Sequence, residues 1–341
     1  MILRTASGDR STRCGMTLLE LLLVMGLVAV VMGIGAGMLA SVDTSDRVAT
    51  SSIRNALRAA RNSSVTHTGT ARVRIDPKAG TLVAEGLEVV GTWRFEDVLW
   101  RGAFGLDGVP VNGDPACVPG FLGNCVSFVG QQRGTHLAFD VSGEPRFHLE
   151  QGFAFEVMVH LASNTTSSIV NIGKVAGLDL ESDGGLVAWF RRGSADEFTR
   201  VDRGIRVRLE SGGGMVRAGT WTRIRVEYDQ RLLTIAVDGV EVARQAAEGP
   251  VVDLDGPVTV GGGSTVLDGR VDDLVVWAVT EAMTVQLPEN ATFGKDVPEV
   301  VRFAAGGALD PTVHREPLSV LLEFDDLTTQ SVHVGLFGTV E

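Results

Sequence analysis

One stretch near the N-terminus restricts this chain more than any other feature. Residues 15–40 read GMTLLELLLVMGLVAVVMGIGAGMLA, and Glu20 is their only charged residue. The twenty residues from Leu21 to Ala40 carry no charge, which is enough for a helix to cross a bilayer. A carboxylate is costly in a membrane, so Glu20 points to a function. We therefore expect a transmembrane helix with one functional acid near its start.

The charges before this stretch predict its orientation. Arg4, Arg10 and Arg13 stand against a single acid, Asp9. Such a bias keeps the N-terminus in the cytoplasm and sends the remaining chain across the membrane. Two simpler interpretations compete. A cleavable secretory signal would have a shorter apolar stretch followed by a small-residue cleavage site. A plain membrane anchor explains the hydrophobicity but neither the preceding glycine nor the acid.

The segment resembles the class III leader of type IV pilins and type II secretion pseudopilins. The matching residues are Gly15, Met16 and Glu20, although Met16 replaces the usual phenylalanine. The resemblance implies that residues 1–15 are a leader, which a prepilin peptidase removes by cutting after Gly15. Met16 then becomes the N-methylated N-terminus. Glu20 would direct assembly by pairing with the free amine of a neighbouring subunit inside the filament.

The helix is expected to continue beyond the membrane. No proline occurs between residues 47 and 67, and Ile53, Leu57 and Ala60 repeat at helical spacing. We therefore predict one transmembrane and amphipathic helix over residues 16–67. Its arginines fall on another face, interpreted as solvated or intersubunit: Arg47, Arg54, Arg58 and Arg61.

Alternating strands at the two ends of the chain predict a small antiparallel sheet. Residues 71–76 and 81–84 alternate around a Pro/Gly turn. A strand with a glycine turn follows at 300–307, and two more strands follow at 318–324 and 331–337. Together with the preceding LRAARNSSVTH segment, they resemble the head of H-type minor pseudopilins. The resemblance implies an α+β pilin fold whose head comprises residues 68–90 and 298–341.

The stretch between these ends, residues 91–287, has a different composition. It contains all five tryptophans and the single tyrosine, and its short alternating strands and glycine turns predict an all-β sandwich. The tract GTWTRIRVEYDQRLLTIAVDGVEVA at 219–243 resembles the laminin G-like, concanavalin A-like jelly roll. We predict that a complete jelly-roll domain is inserted into the pilin head. The resemblance also makes Trp221 and Trp277 packing residues, and Trp189 is expected in the core because it lies within a predicted strand, 186–190.

The cysteines agree with export. Cys14 belongs to the leader, whereas Cys117 and Cys125 remain, separated by seven residues of a Gly/Pro-rich loop. An oxidising compartment beyond the membrane predicts a disulfide between them. A redox or metal site is the weaker alternative, because no third ligand is near.

Charge argues against nucleic-acid binding. The chain carries a net charge of −12, and loss of the leader, with its three arginines and one aspartate, leaves −14. Such an acidic protein repels phosphates.

The chain lacks the signatures of an enzyme. The Glu-x-Asp-x-x-Glu pair of jelly-roll glycoside hydrolases is missing; Asp272 and Asp273 come closest and are interpreted as structural. No cofactor is indicated with certainty. Calcium is a possible ligand of the jelly roll, since loop acids such as Asp179, Asp183 and Asp253 are present, but their spacing leaves the metal site unknown. Candidate binding loops are 163–168 and 192–198.

The sequence thus predicts a non-catalytic minor pilin or pseudopilin of a type II secretion or type IV pilus system. Its expected partners are the prepilin peptidase, other pilin subunits, the inner membrane, and a glycan or protein ligand of the jelly roll. The head would lie in the periplasm, in a filament or at the cell surface. The jelly roll is either an adhesive, recognising module or a docking face for other subunits. The alternative function is a membrane-anchored carbohydrate- or protein-binding protein that does not assemble.

Overall fold

Strands dominate the part of the chain that the structure describes. The computed structural model describes residues 18–40, 45–193, 205–253, 256–262 and 265–341. Its helices within these residues are α1 (Leu18–Ala40), α2 (Ser45–Thr66) and a short 3₁₀ helix at Ala103–Gly105. Its strands are β1 (Ala71–Asp76), β2 (Thr81–Trp93), β3 (Gly108–Val111), β4 (Ala116–Pro119), β5 (Asn124–Ser127), β6 (His136–Phe139), β7 (Phe153–Leu161), β8 (Ser167–Ile172), β9 (Ala176–Leu180), β10 (Leu186–Arg192), β11 (Ile205–Glu210), β12 (Trp221–Tyr228), β13 (Leu232–Val237), β14 (Val240–Ala246), β15 (Val258–Gly262), β16 (Gly269–Gln286), β17 (Ala291–Phe293), β18 (Val300–Phe303), β19 (Leu318–Phe324) and β20 (Thr329–Val334).

The sequence predicted a single helix over residues 16–67, and the structure describes two helices within this range. They are α1 and α2, and residues 41–44 between them lie outside the described residues. Within the part of the chain described with its side chains, no helix is both long enough and apolar enough to cross a membrane. The continuity of the predicted helix depends on residues 41–44 and stays a prediction.

Helix α2 is amphipathic and buries one face. Its buried residues recur at helical spacing, and Ile53, Leu57 and Ala60 are fully inaccessible to solvent. Asp46 lies in the first turn, where a negative charge stabilises the positive end of the helix dipole. The opposite face carries exposed Arg58, whose guanidinium donates to the backbone carbonyl of Val340 over 3.0 Å.

Two large antiparallel sheets pack face to face as a sandwich. In the first, which we call the large sheet, the strand order is β14-β13-β12-β7-β16-β2-β1-β18, and the β4–β5 hairpin pairs with β16. In the second, the order is β11-β10-β9-β8-β15-β6-β3. Alternate residues of β7, β10 and β12 point into the space between the sheets, because side chains on a strand alternate between its two faces.

Aromatic side chains fill the middle of this sandwich core. The ring centroids of Phe190 and Tyr228 lie 4.0 Å apart, and those of Phe153 and Phe155 lie 6.1 Å apart. The Tyr228 hydroxyl donates to the backbone carbonyl of Gly249 over 2.6 Å, which satisfies its one polar group in the apolar interior.

A second core lies in the region that we call the head. Here α2 packs against β1, the first half of β2, the end of β16, and the strands after it. Strands β17, β19 and β20 form a third sheet of order β17-β19-β20. The head core thus joins residues 49–84 to residues 285–340, which come from opposite ends of the described chain.

Strands β2 and β16 run through both cores. They pair in antiparallel fashion from Thr81↔Gln286 to Trp93↔Leu274. On β2, Ala84 belongs to the head core and Val90 to the sandwich core. In the chain, the sandwich is therefore inserted between β2 and β16, two paired strands that also belong to the head. This is the arrangement of an inserted domain whose ends lie close together.

Candidate functional site

A cleft of about 680 Å³ lies on the outer face of the large sheet, where this face meets the head. Its floor is formed by alternate residues of β12 and β13 together with Glu156 of β7 and Trp277 of β16, and one wall by the segment after α2. Both faces of β12 are thus used: Ile224 and Val226 pack in the sandwich core, whereas Arg223, Arg225 and Glu227 line the cleft. We call this the junction cleft.

Trp277 forms the apolar part of the cleft floor. Its side chain is 9% exposed and packs with Leu87, Ala154 and Val279 in a small cluster separate from the sandwich core. The guanidinium carbon of Arg225 stands 4.9 Å from the ring centroid of Trp277, a cation–π contact. The indole Nε1 of Trp277 is buried and has no hydrogen-bond partner among the described residues.

Paired charges surround this ring. Arg225 Nη2 lies 3.2 Å from Glu227 Oε2, and Arg225 Nη1 lies 4.0 Å from Glu156 Oε2. Arg223 Nε lies 3.6 Å from the other oxygen of Glu156. The second oxygen of Glu227 accepts hydrogen bonds from the backbone N–H and the hydroxyl of Thr70, over 2.7 and 2.6 Å. Glu227 therefore ties the floor of the cleft to its wall.

Beneath the cleft, a buried polar network joins the jelly roll to the head. The Arg72 guanidinium pairs with Glu85, and the two side chains are only 6% and 0% exposed. Arg72 Nη1 also donates to the backbone carbonyl of Asp229 over 2.6 Å. From β18, Arg302 Nη1 donates to Asp229 Oδ2 over 2.6 Å. Two arginines of the head thus hold the β12–β13 turn, in which Asp229 lies.

His314 completes this network on the head side. Its Nε2 accepts the backbone N–H of Arg302 over 3.0 Å, so the imidazole must be unprotonated at this nitrogen. Burial is the main reason why the pKa of His314 lies below its usual value, and the nearby Arg302 adds to the effect. His67, in the cleft wall, also has a lowered pKa, because of its partial burial and of Arg225.

The residues predicted to govern processing lie at the edge of what the structure describes. Gly15 and Met16 are outside the described residues, as is Cys14. Glu20 lies in the first turn of α1, and its side chain is outside the described part. These predictions therefore remain predictions.

The predicted Cys117–Cys125 disulfide is not formed in the structure, where both thiols are free. The cysteines lie on the β4–β5 hairpin, with Cys117 opposite Val126 and Cys125 opposite Val118. Since neighbouring residues on a strand point to opposite faces, this register turns the two thiols away from each other. Burial, with the Asp272 carboxylate nearby, raises the pKa of the Cys125 thiol to about 11.

Asp272 has the structural role that the sequence predicted. It is fully buried, and its carboxylate accepts backbone N–H groups of Phe121 and Leu122 over 2.9 and 3.3 Å. The backbone N–H of Asp273 donates to its other oxygen over 2.9 Å. Asp272 therefore fixes the loop between β4 and β5.

The acids considered for calcium do not converge. Asp179 lies 3.6 Å from Arg206, Asp183 accepts the backbone N–H of Gly185 over 2.8 Å, and Asp253 interacts with Glu150. Across the residues that the structure describes, no group of three or more metal-ligating side chains is found. Of the two candidate loops, 163–168 is described, and there Ser163 donates to Asp268 over 2.5 Å. Most of 192–198 lies outside the described residues.

Of the three tryptophans predicted to be packing residues, two are buried and one is half-buried. Trp189 and Trp277 are buried as predicted, but on the outer faces of the two sheets and not in the sandwich core. Trp189 packs under Arg206, whose guanidinium carbon is 4.3 Å from the ring centroid. Trp221 is only half-buried, beside Phe121 and His160 at the edge of the large sheet. Strand register, and not residue type, decides which face each ring occupies.

Sequence reasoning missed the charged residues of the junction cleft. A signal for them exists in the tract WTRIRVE at 221–227, where Arg223, Arg225 and Glu227 recur at every second position. That period places all three on one face of a strand. Their partners Glu156 and Thr70 are too distant in sequence for the pattern to reveal them.

Comparison with known proteins gives one family match. Residues 132–285 match the Laminin_G_3 model, described as the concanavalin A-like lectin/glucanases superfamily. A comparison with curated protein sequences returned no match.

Several solved structures are similar to part of the chain. Domain 4 of AbnA, a GH43 extracellular arabinanase from Geobacillus stearothermophilus in complex with arabinotriose, is 14% identical with a TM-score of 0.42, covering 57% of this chain and 95% of that one. The binding domain of Paraclostridial Mosquitocidal Protein 1 is 10% identical with a TM-score of 0.43, covering 57% and 50%. The binding domain of botulinum neurotoxin DC in complex with SialylT is 8% identical with a TM-score of 0.40, covering 72% and 73%. The chain thus spans about half of the second structure. The family match, together with the two packed sheets, identifies a concanavalin A-like jelly-roll domain within this chain.

Proposed function

We propose that the chain is a minor pilin or pseudopilin subunit that displays its jelly roll from a filament of a type II secretion or type IV pilus system. The observation that carries the proposal is the spacing of Gly15, Met16 and Glu20 in front of a twenty-residue uncharged stretch. Support comes from the head, where an amphipathic helix packs on a sheet assembled from both ends of the chain.

Glu20 has a definite task in this proposal. Subunits leave the membrane and pack with their apolar helices at the centre of the filament, where a carboxylate needs a partner. The free amine of Met16 on a neighbouring subunit supplies it after cleavage. Loss of one member of such a buried pair costs about 3–5 kcal/mol. Glu20 would therefore set the axial register of assembly.

The jelly roll acts in this proposal as a recognition or adhesion module and not as a catalyst. Roughly 200 inserted residues would crowd a densely packed shaft, so we place the subunit at a filament tip. The processed chain would have its N-terminus at the cytoplasmic face of the inner membrane and its head in the periplasm or at the cell surface. The buried pairs of Arg72 and Arg302 with groups of the jelly roll support a fixed display of the module.

The test is intact-mass measurement and N-terminal sequencing of the protein from membranes, with and without the prepilin peptidase. We expect a product that starts at N-methylated Met16 and disappears when the peptidase is absent. Glu20→Ala should be cleaved but fail to enter filaments, whereas the matched control Leu21→Ala should do both. An uncut N-terminus, or normal assembly of Glu20→Ala, would favour a membrane-anchored binding protein that does not assemble.

A further inference from the structure

We propose that the junction cleft binds a neutral oligosaccharide. The inference rests on the proposed recognition role and assigns to it a site and a class of ligand. The cleft lies on the outer face of the large sheet, between the jelly roll and the head, so it exists only where the two regions meet.

Charge compensation is the first argument for a neutral ligand. The three arginines that line the cleft each have a carboxylate nearby: Arg223 pairs with Glu156, Arg225 with Glu156 and Glu227, and Arg244 with Glu241. The other two lining acids, Asp229 and Asp310, pair with Arg302 and Arg231. An anionic or cationic ligand would have to break these pairs and leave one member unsatisfied, which acts against both.

The kind of polar group in the cleft is the second argument. Guanidinium groups only donate hydrogen bonds and carboxylates only accept them, whereas a sugar hydroxyl does both. Alternating arginines and glutamates therefore suit a ligand rich in hydroxyls. Thr68, Thr234 and Thr312 also line the cleft and add hydroxyl groups to this set.

The third argument is an unpaired donor. Buried polar groups almost always have a partner, and an exception calls for a reason such as a bound molecule. The indole N–H of Trp277 is such an exception, and it belongs to the ring that lines the cleft beneath Arg225. A ligand on this ring is one reason for a donor that the protein leaves unpaired.

The cleft is also preorganised and large enough. Its volume of about 680 Å³ falls within the ~300–1,000 Å³ of typical ligand sites. Its floor and wall are held together by the two hydrogen bonds from Thr70 to Glu227. A site that is already fixed loses little conformational entropy on binding.

The proposal is tested on the full chain, purified in a zwitterionic detergent that has no sugar headgroup. The protein is applied to an array that carries both neutral and acidic glycans, and any neutral hit is titrated by calorimetry and tryptophan fluorescence. Ala236→Trp fills the cleft from β13 without removing a polar contact. Ala138→Trp is the matched control, because Ala138 is also half-buried but lies on β6 in the other sheet.

We expect at least one neutral glycan to bind, with a Kd about tenfold or more weaker in Ala236→Trp and unchanged in Ala138→Trp. Arg223→Ala, which removes one donor from the cleft edge, should weaken the same binding severalfold. Circular dichroism would show that the variants are folded. Retention of acidic glycans alone, of none, or equal binding by Ala236→Trp would overturn the proposal. Failure of the pilin proposal would appear separately, as an uncut N-terminus in a chain that still binds glycan.

Discussion

The sandwich and the head are built on the same large sheet but from different parts of the chain. The sandwich core is drawn from one continuous stretch, from Val90 to Ala278. The head core combines α2 and β1 with strands that follow β16. The sandwich can therefore bury its apolar surface by itself, whereas the head needs β16 to return beside β2. The inserted domain is therefore also needed to complete the structure of the head.

The largest expected effect comes from a substitution in the sandwich core. Phe155→Ala removes a fully buried ring from β7 and should destabilise the protein by about 3–5 kcal/mol. Because the sandwich positions β16 beside β2, we expect loss of hydrogen-exchange protection in α2 as well as in β7. Protection that remains in α2 when β7 is open would show that the two cores fold independently.

The buried network between the regions comes next. Glu85→Gln leaves Arg72 buried without its counter-charge and should cost about 3–5 kcal/mol. Denaturant unfolding of the full chain measures it. The matched control is Glu181→Gln. The Glu181 carboxylate lies 3.2 Å from the guanidinium of Arg208, which is half-exposed, and such exposed pairs contribute about 0–1 kcal/mol. Equal effects of the two substitutions would contradict the importance of the network.

A substitution confined to the head tests whether the sandwich stays folded when the head core is weakened. Leu57→Ala empties a fully buried position of α2 and should cost about 2–5 kcal/mol. Exchange protection should fall in α2 and β1 but remain in β7 and β10, because the sandwich core contains no residue of α2. The exposed neighbour substitution Asn55→Ala is the control and should leave both regions unchanged.

Mild acid should act on the head and the buried network before it acts on the sandwich. The pKa of His314 is lowered in the folded state, so its contribution to stability is present above about pH 6.5 and is lost as the pH falls below that value. Unfolding midpoints at pH 7.5 and 5.5 should differ less for His314→Gln than for the parent chain. His67, whose pKa is also lowered, remains in both proteins, so the difference isolates His314.

The smallest effect concerns the thiols of the β4–β5 hairpin. Since the pKa of Cys125 is raised to about 11, its alkylation at pH 8 should be much slower than that of unfolded protein. Cys117, which is partly exposed, should react first. Mass spectrometry after alkylation reports both sites. If neither thiol is alkylated until the protein has been reduced, the disulfide predicted from the sequence is present after all.

The sequence was most informative where polarity alternates without interruption. The strands predicted at 71–76 and 318–324 occur as Ala71–Asp76 and Leu318–Phe324. Alternation failed on β16, where the register with β7 shifts between Asp272 and Val275, so that Val271 and Leu274 both face the sandwich core.

The burial of the Arg72 charge could not be predicted from the sequence either. Arg72 alternates with apolar residues in ARVRID, a pattern typical of a solvent-facing position. It is buried because residues of the inserted domain, more than seventy positions away, cover it: Gln151, Asp229 and Gln230 all accept its hydrogen bonds. The junction cleft escaped prediction for the same reason, since its wall and floor meet only in three dimensions.

The passage of β2 and β16 through both cores has a mechanical consequence. A domain on a single linker can swivel, and any pull on it loads one backbone. Here two paired strands connect the jelly roll to the head, with twelve residue pairs between them. A pulling force is therefore shared by two covalent backbones, and rotation about either one is blocked by the other. A ligand held by the jelly roll would transmit torque as well as tension to the helix beneath it.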